Sequence, residues 1–168
     1  MAARGCWPVL AVFVLVVAGA CSPSPGSGAA GGPPSGGVPV TKVTDGDTIH
    51  VVYQGRDERV RLIGVDTPEV PWYGGKEECY GVQAGLYARR RLSGRSVRMA
   101  FDADRRDRYG RLLAYVYVGP ELFNLTLVRL GYGRADPVPP DTRMASAFER
   151  AEAVARAAGR GLWSACPR

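Results

Sequence analysis

The chain has 168 residues, 46% of them hydrophobic and 23% charged, a globular composition suited to one domain with additional segments. Lys and Arg outnumber Asp and Glu by 22 to 16, a net charge of +6, which suits a polyanionic partner, an anionic membrane surface or simply an arginine-rich solvated exterior. The single histidine, His50, excludes a two-histidine acid–base mechanism, and one His with an exported cysteine pair does not build a usual zinc site.

The first 20 residues read as a signal peptide. One positive charge at Arg4 precedes an apolar run from Trp7 to Ala20. That run is short of the roughly 20 apolar residues that a membrane span needs. "AGAC" places Cys21 just after a small-x-small pattern at Ala18 and Ala20, as in a bacterial lipoprotein signal. Cys21 is then the expected lipidation site. The protein is expected to be exported and anchored by lipid on the outer side of the cell membrane, or else secreted. Residues 21–37 continue almost wholly as Ser, Pro, Gly and Ala, a tether with no means of burying a core.

Of the four cysteines, Cys6 leaves with the signal and Cys21 is assigned to acylation. Cys79 and Cys166 remain. In oxidising surroundings they are expected to pair as a disulfide. In the chain-entropy picture a bridge over so long a loop stabilises by roughly 4 kcal/mol, less any strain.

The folded domain is expected over 38–168. Alternating apolar residues predict strands over 38–44 and 48–54, with "DGD" as the turn between them. A turn around Gly55 leads to a third strand over 58–65, and further strands are predicted over 96–102 and 111–118. Helices are predicted over 80–93, stopped by Gly94, and over "LTLVRL", capped by Asn124 and ended by Gly131. A longer helix from a cap at Asp141 to about Ala158 places Met144, Phe148, Ala151 and Ala155 on one face. The expected class is α+β, a five-stranded OB-like β-barrel with three α-helices.

Three clusters carry the chemistry: "DGDT" (45–48), "RLIGVDTPE" (61–69) and "DRYGR" (107–111). Singly, each has an ordinary explanation as a turn, a strand exit or a charged loop. Together they hold the parts for cleaving a phosphodiester. A hard divalent cation needs carboxylate and carbonyl oxygens. Charge growing on the phosphate needs arginine, whose planar fork bonds two oxygens at once. A base must activate or orient water. Asp47, Asp66, Glu69, Arg61 and Arg111 cover these needs.

These motifs, with "YG" at 80–81, "LAYVYV", "LVRLGYG" and "GLW", resemble the thermonuclease family in order and spacing from about Val38 to Trp163. The resemblance implies an OB-like barrel and Ca²⁺-dependent hydrolysis of DNA and RNA with little sequence preference, leaving 3′-phosphate ends. By motif position, Asp47 and Asp66 are the expected metal carboxylates, and the carbonyl of Thr67 a further ligand. Glu69 is the expected general base or water-positioning group. Arg61 and Arg111 are expected on the scissile phosphate, and Arg108 and Tyr109 on the substrate. A monomer acting on DNA and RNA is expected.

Two departures stand beside the resemblance. The stretch "ADPVPPDT" (135–142) lacks the tyrosines with which the family holds a nucleotide. Trp72 and Tyr73 are new, and either stacks on a base or shields its own loop. Arg89, Arg90 and Arg91 form a basic run read as a solvated helix face, whereas Lys42, Arg105, Arg106 and Arg108 border the site in sequence. The alternative is a non-catalytic nucleic-acid-binding OB module. A decayed site of that kind is expected to lack one or more of the five residues named.

Overall fold

The structure is a computed structural model that describes residues 1–2, 37–72 and 76–166. Residues 3–20 of the expected signal peptide, the expected lipidation site Cys21, most of the tether, and Tyr73 lie outside the described residues.

The chain runs β1 (Val38–Val43), β2 (Thr48–Tyr53), β3 (Arg56–Leu62), β4 (Gly64–Asp66), α1 (Gly81–Leu92), β5 (Ser96–Ala100), β6 (Leu112–Val118), β7 (Glu121–Leu122), α2 (Phe123–Leu130), β8 (Arg134–Asp136), α3 (Ala145–Ala157) and α4 (Leu162–Ala165). The five long strands order as β3-β2-β1-β5-β6, and a parallel β3–β6 pairing closes them into a barrel. The expected α+β barrel is therefore present, with α4 as a short fourth helix. Closure leaves no long open edge, which suits strands this short.

Local chemistry explains the register. β2 and β3 join through Gln54 and Gly55, both at positive φ, the geometry of a two-residue hairpin. Inward residues such as Ile49, Val51, Val60, Leu62, Met99, Leu112 and Val116 are buried and fill the barrel. Phe123, Leu127 and Phe148 extend this core under α2 and α3.

Three expectations are corrected. The strand predicted over 58–65 is broken after Leu62, because Gly64 adopts φ +79° and turns the chain into β4. A Cβ at Gly64 would lie 2.6 Å from the Phe148 ring, so only glycine fits the bend. Asn124 does not cap α2; it lies inside the helix, fully buried, and bonds Val116 N–H, Ile63 C=O and Ala114 C=O. Asp141 does not cap α3, which begins at Ala145; its carboxylate accepts the Asp104 N–H instead. The inner face of α3 is as expected, with Phe148 and Ala155 buried and Met144 and Ala151 packed beside the core.

Candidate active site

The "DGDT" turn is stapled by its own first residue. Asp45 Oδ1 accepts the N–H groups of Asp47 (2.9 Å) and Thr48 (2.6 Å). The Leu62 N–H donates to the Asp47 carbonyl at 2.8 Å and fastens the turn to β3. Asp47 itself is only 3% exposed. Its Oδ2 accepts both the N–H and the hydroxyl of Thr67, at 2.7 and 2.8 Å, while its Oδ1 accepts the Thr48 hydroxyl and pairs with Arg61. Asp47 thus joins the start of β2 to the loop that leaves β4. Gly46 permits this contact, since a Cβ there would fall 2.7 Å from Thr67 Oγ1.

Arg61 is delivered by β3, opposite Thr48 of β2 and Leu113 of β6. Its guanidinium touches Asp47, lies 2.8 Å from Asp66 Oδ1 and 3.8 Å from Asp136 Oδ2. The bend at Gly64 makes this convergence: it carries Asp66 off the barrel to pair with Arg134 of β8, which also brings Asp136 opposite Gly64. A straight strand would have separated Arg61 from Asp66 by five residues of extended chain.

Glu69 follows three residues after the end of β4. Burial raises its carboxyl above the usual range, and the charges of Asp45, Glu78 and Asp66 push the same way, against Arg61. Burial likewise raises the carboxyl of Asp45. Arg111 enters from the "DRYGR" turn, whose geometry is set by Asp107. The Asp107 carboxylate accepts the N–H groups of Tyr109 and Arg111 (2.9 and 3.0 Å) and the Nε–H of Arg111 (2.6 Å). Burial pushes the Asp107 carboxyl up, but these bonds outweigh it and hold the group below the usual carboxylate range. Arg108 donates to the Tyr109 hydroxyl at 2.7 Å, and Tyr109 stands 65% exposed beside the guanidinium of Arg111, 5.5 Å from its ring centre.

Arg61, Arg108, Tyr109, Arg111, Asp136 and Val138 share the wall of a cleft of about 510 Å³, ample for a nucleotide. The stretch without tyrosines supplies Asp136, Val138 and Pro139 to that wall.

The donor set suits a hard divalent cation in its chemistry. Asp47 and Asp66 pair with one guanidinium, whose charge also acts on Asp45 and Glu69, so carboxylate oxygens of the kind such a cation takes lie near one another. Among the described residues no three acidic, His or Cys side chains converge as a preformed ligand shell, because Arg61 sits between Asp47 and Asp66.

Other sequence-named residues fall elsewhere. Trp72 packs on Gly85 of α1 with the Arg89 guanidinium 3.5 Å from its ring centre, which is the loop-shielding arrangement. Arg91 pairs with Glu121, whereas Arg106, paired with Glu58, lies on the wall of the cleft itself. Arg105 lies over Phe101 and His50 pairs with Asp57. Cys79 and Cys166 form the expected disulfide, with Cα atoms 5.8 Å apart. Asp45, Glu78, Asp107 and Asp136 were not singled out by the sequence. Asp45 and Asp107 carry a local signal, an Asp opening a tight turn; Glu78 and Asp136 carry none, because their roles arise from contacts across the fold.

Comparison with known proteins gives the family of the chain. The family described as staphylococcal nuclease homologue matches residues 59–165. The chain is 40% identical over 124 residues to a protein named thermonuclease from Staphylococcus intermedius, covering 74% of each chain. It is 38% identical over 125 residues to the thermonuclease of Staphylococcus hyicus, again covering 74% of each. It is 36% identical over 129 residues to Endonuclease YncB of Bacillus subtilis, covering 76% of this chain and 61% of that one. The barrel, the bend at Gly64 and the carboxylate–arginine cluster thus belong to a chain that is a member of the staphylococcal nuclease family.

Proposed function

We propose that this protein hydrolyses DNA and RNA phosphodiesters with Ca²⁺, leaving 3′-phosphate ends, outside the cytoplasm. The enzyme class, a hydrolytic nuclease, follows from family membership. The observation that carries the finer reading is the meeting of Arg61 with Asp66 and Asp47, close enough to Glu69 for their charges to act on it, while Arg61 shares a cleft with Arg111.

In this reading Asp47, Asp66 and the Thr67 carbonyl hold the metal. When bound, the cation neutralises and polarises the phosphoryl group. Glu69 orients and deprotonates the attacking water; its raised carboxyl brings its basicity nearer to the task. Arg61 and Arg111 bond the non-bridging phosphate oxygens, where negative charge grows. Arg61 has to release part of its carboxylate pairing to do so, whereas Arg111 keeps Asp107 on Nε and presents its remaining N–H donors. Arg108 and Tyr109 hold the flanking nucleotide. Val138 and Pro139 offer it an apolar wall in place of stacking rings.

Residues 1–20 act as a signal peptide, 21–37 as a tether with Cys21 as the lipidation site, and 38–168 as a monomeric nuclease domain. The Cys79–Cys166 disulfide supports an oxidising location.

The test is cleavage of single-stranded DNA and of RNA by the purified protein, with Ca²⁺ and with a chelator, and mass spectrometry of the product ends. Ca²⁺-dependent cleavage to 3′-phosphates is expected. DNA bound but intact in Ca²⁺ would establish the non-catalytic module instead.

A further inference from the structure

Glu69 is not held by a strand. β4 ends at Asp66, and the chain through Val70 is irregular. A reciprocal pair grips it from the far side of the loop. The Glu69 N–H donates to Glu78 Oε2 at 3.1 Å, and the Glu78 N–H donates to the Glu69 carbonyl at 3.0 Å. The Gly81 N–H then donates to the Glu78 carbonyl at 3.0 Å as α1 begins. Gly81 packs so closely that a Cβ there would collide with the Glu69 carbonyl oxygen.

The residue after Glu78 is Cys79, bonded covalently to Cys166 just beyond α4. That anchor is firm. Leu162, at the start of α4, is buried, and its N–H donates to the Gly131 carbonyl at 2.9 Å. Residues 76–80 have neither helix nor strand to fix them, and Glu78 is exposed. A hydrogen bond in that setting exchanges with water and favours the closed pair by only a small factor. The covalent bond one residue away converts it into a fixed support.

We propose that Glu78, held in place by the Cys79–Cys166 disulfide, is a positioning residue for Glu69, and that full turnover of the nuclease requires the disulfide. The proposal rests on the reading of Glu69 as the water-activating group. Displacing such a group by about 1 Å costs on the order of 100-fold in rate. The disulfide is then more than a staple: an enzyme of this kind gains its full activity only after oxidation.

Steady-state cleavage of a single-stranded oligonucleotide with Ca²⁺ tests this on the full chain, at a temperature where every variant is folded by circular dichroism. The paired substitution Cys79→Ala with Cys166→Ala, and separately Glu78→Ala, is expected to lower kcat by roughly 10- to 100-fold with little change in KM. Glu78→Gln, whose amide oxygen still accepts the Glu69 N–H, restores most of the rate. Reduction of the wild-type bridge by dithiothreitol gives two cysteine thiols and one cyclic reagent disulfide, and lowers kcat to the level of the double variant. Amide hydrogen exchange at Glu69 speeds up in the variants that lose rate and stays slow in Glu78→Gln.

A folded double-cysteine variant with wild-type kcat, or a fully active Glu78→Ala, overturns the proposal; a lower melting temperature alone makes the bridge a staple only. A Glu69→Gln control separates the two levels. If that control keeps wild-type turnover, the reading of Glu69 fails and the proposal falls with it. If it collapses while the clamp variants turn over normally, only the clamp is refuted.

Discussion

Replacing Asn124 by Ala probes the link between the core and the site. Asn124 is fully buried, and its amide ties α2 to β6 and to the turn between β3 and β4. Truncation leaves the Val116 N–H and the Ile63 carbonyl without this partner in an apolar interior. The Ala114 carbonyl still accepts the Ile63 N–H. Two orphaned buried groups at about 1–3 kcal/mol each give an expected loss of roughly 2–6 kcal/mol. That is a large part of the ~5–15 kcal/mol typical of a domain. Urea denaturation followed by circular dichroism reads it as a lower midpoint at unchanged slope. Because Ile63 stands between Arg61 and Gly64, activity should also fall by more than the unfolded fraction accounts for. A loss below about 1 kcal/mol would refute the reasoning, by showing that water or a backbone shift satisfies both groups.

Two further outcomes are expected. Gly64→Ala meets both a positive φ and the Phe148 ring, so it should cost about 2–4 kcal/mol, read as a lower melting temperature; a neutral effect contradicts the bend. Asp107 has a carboxyl held below its unfolded value, so its contribution to stability is present above that value and is lost as pH falls through the folded one. Asp107→Asn should therefore be less stable than wild type near neutral pH, with the gap closing on acidification below about pH 4; a gap independent of pH contradicts the pairing with Arg111.

The barrel was legible because its strands alternate and its hairpin glycines sit where positive φ is needed. Four of the five long strands were placed to within about two residues. The exception was instructive. "ERVRLIGV" reads as one continuous strand, and the Phe148 ring that leaves no room for a side chain at the Gly64 bend is far away in sequence. Asn124 and Asp141 were misread for a related reason. Their side chains bond backbone amides equally well at a helix start or across the fold, and sequence does not separate the two uses. Cysteine counting located the disulfide, but not that it lies beside the backbone of Glu69. The candidate site was legible as a parts list of carboxylates and arginines. Its internal wiring was not, since Asp47 reaches Thr67, and the charge of Asp45 acts on Glu69, only through the closed barrel.

The most direct test of the catalytic account is the turnover of Glu69→Gln on single-stranded DNA with Ca²⁺, beside its affinity for the same strand. The change keeps the size of the side chain and its backbone pair with Glu78, and removes only the base. The account predicts a fall in kcat of about 10²- to 10⁴-fold with binding nearly unchanged. A variant that turns over within a few-fold of wild type would contradict it and assign the activation of water to another group.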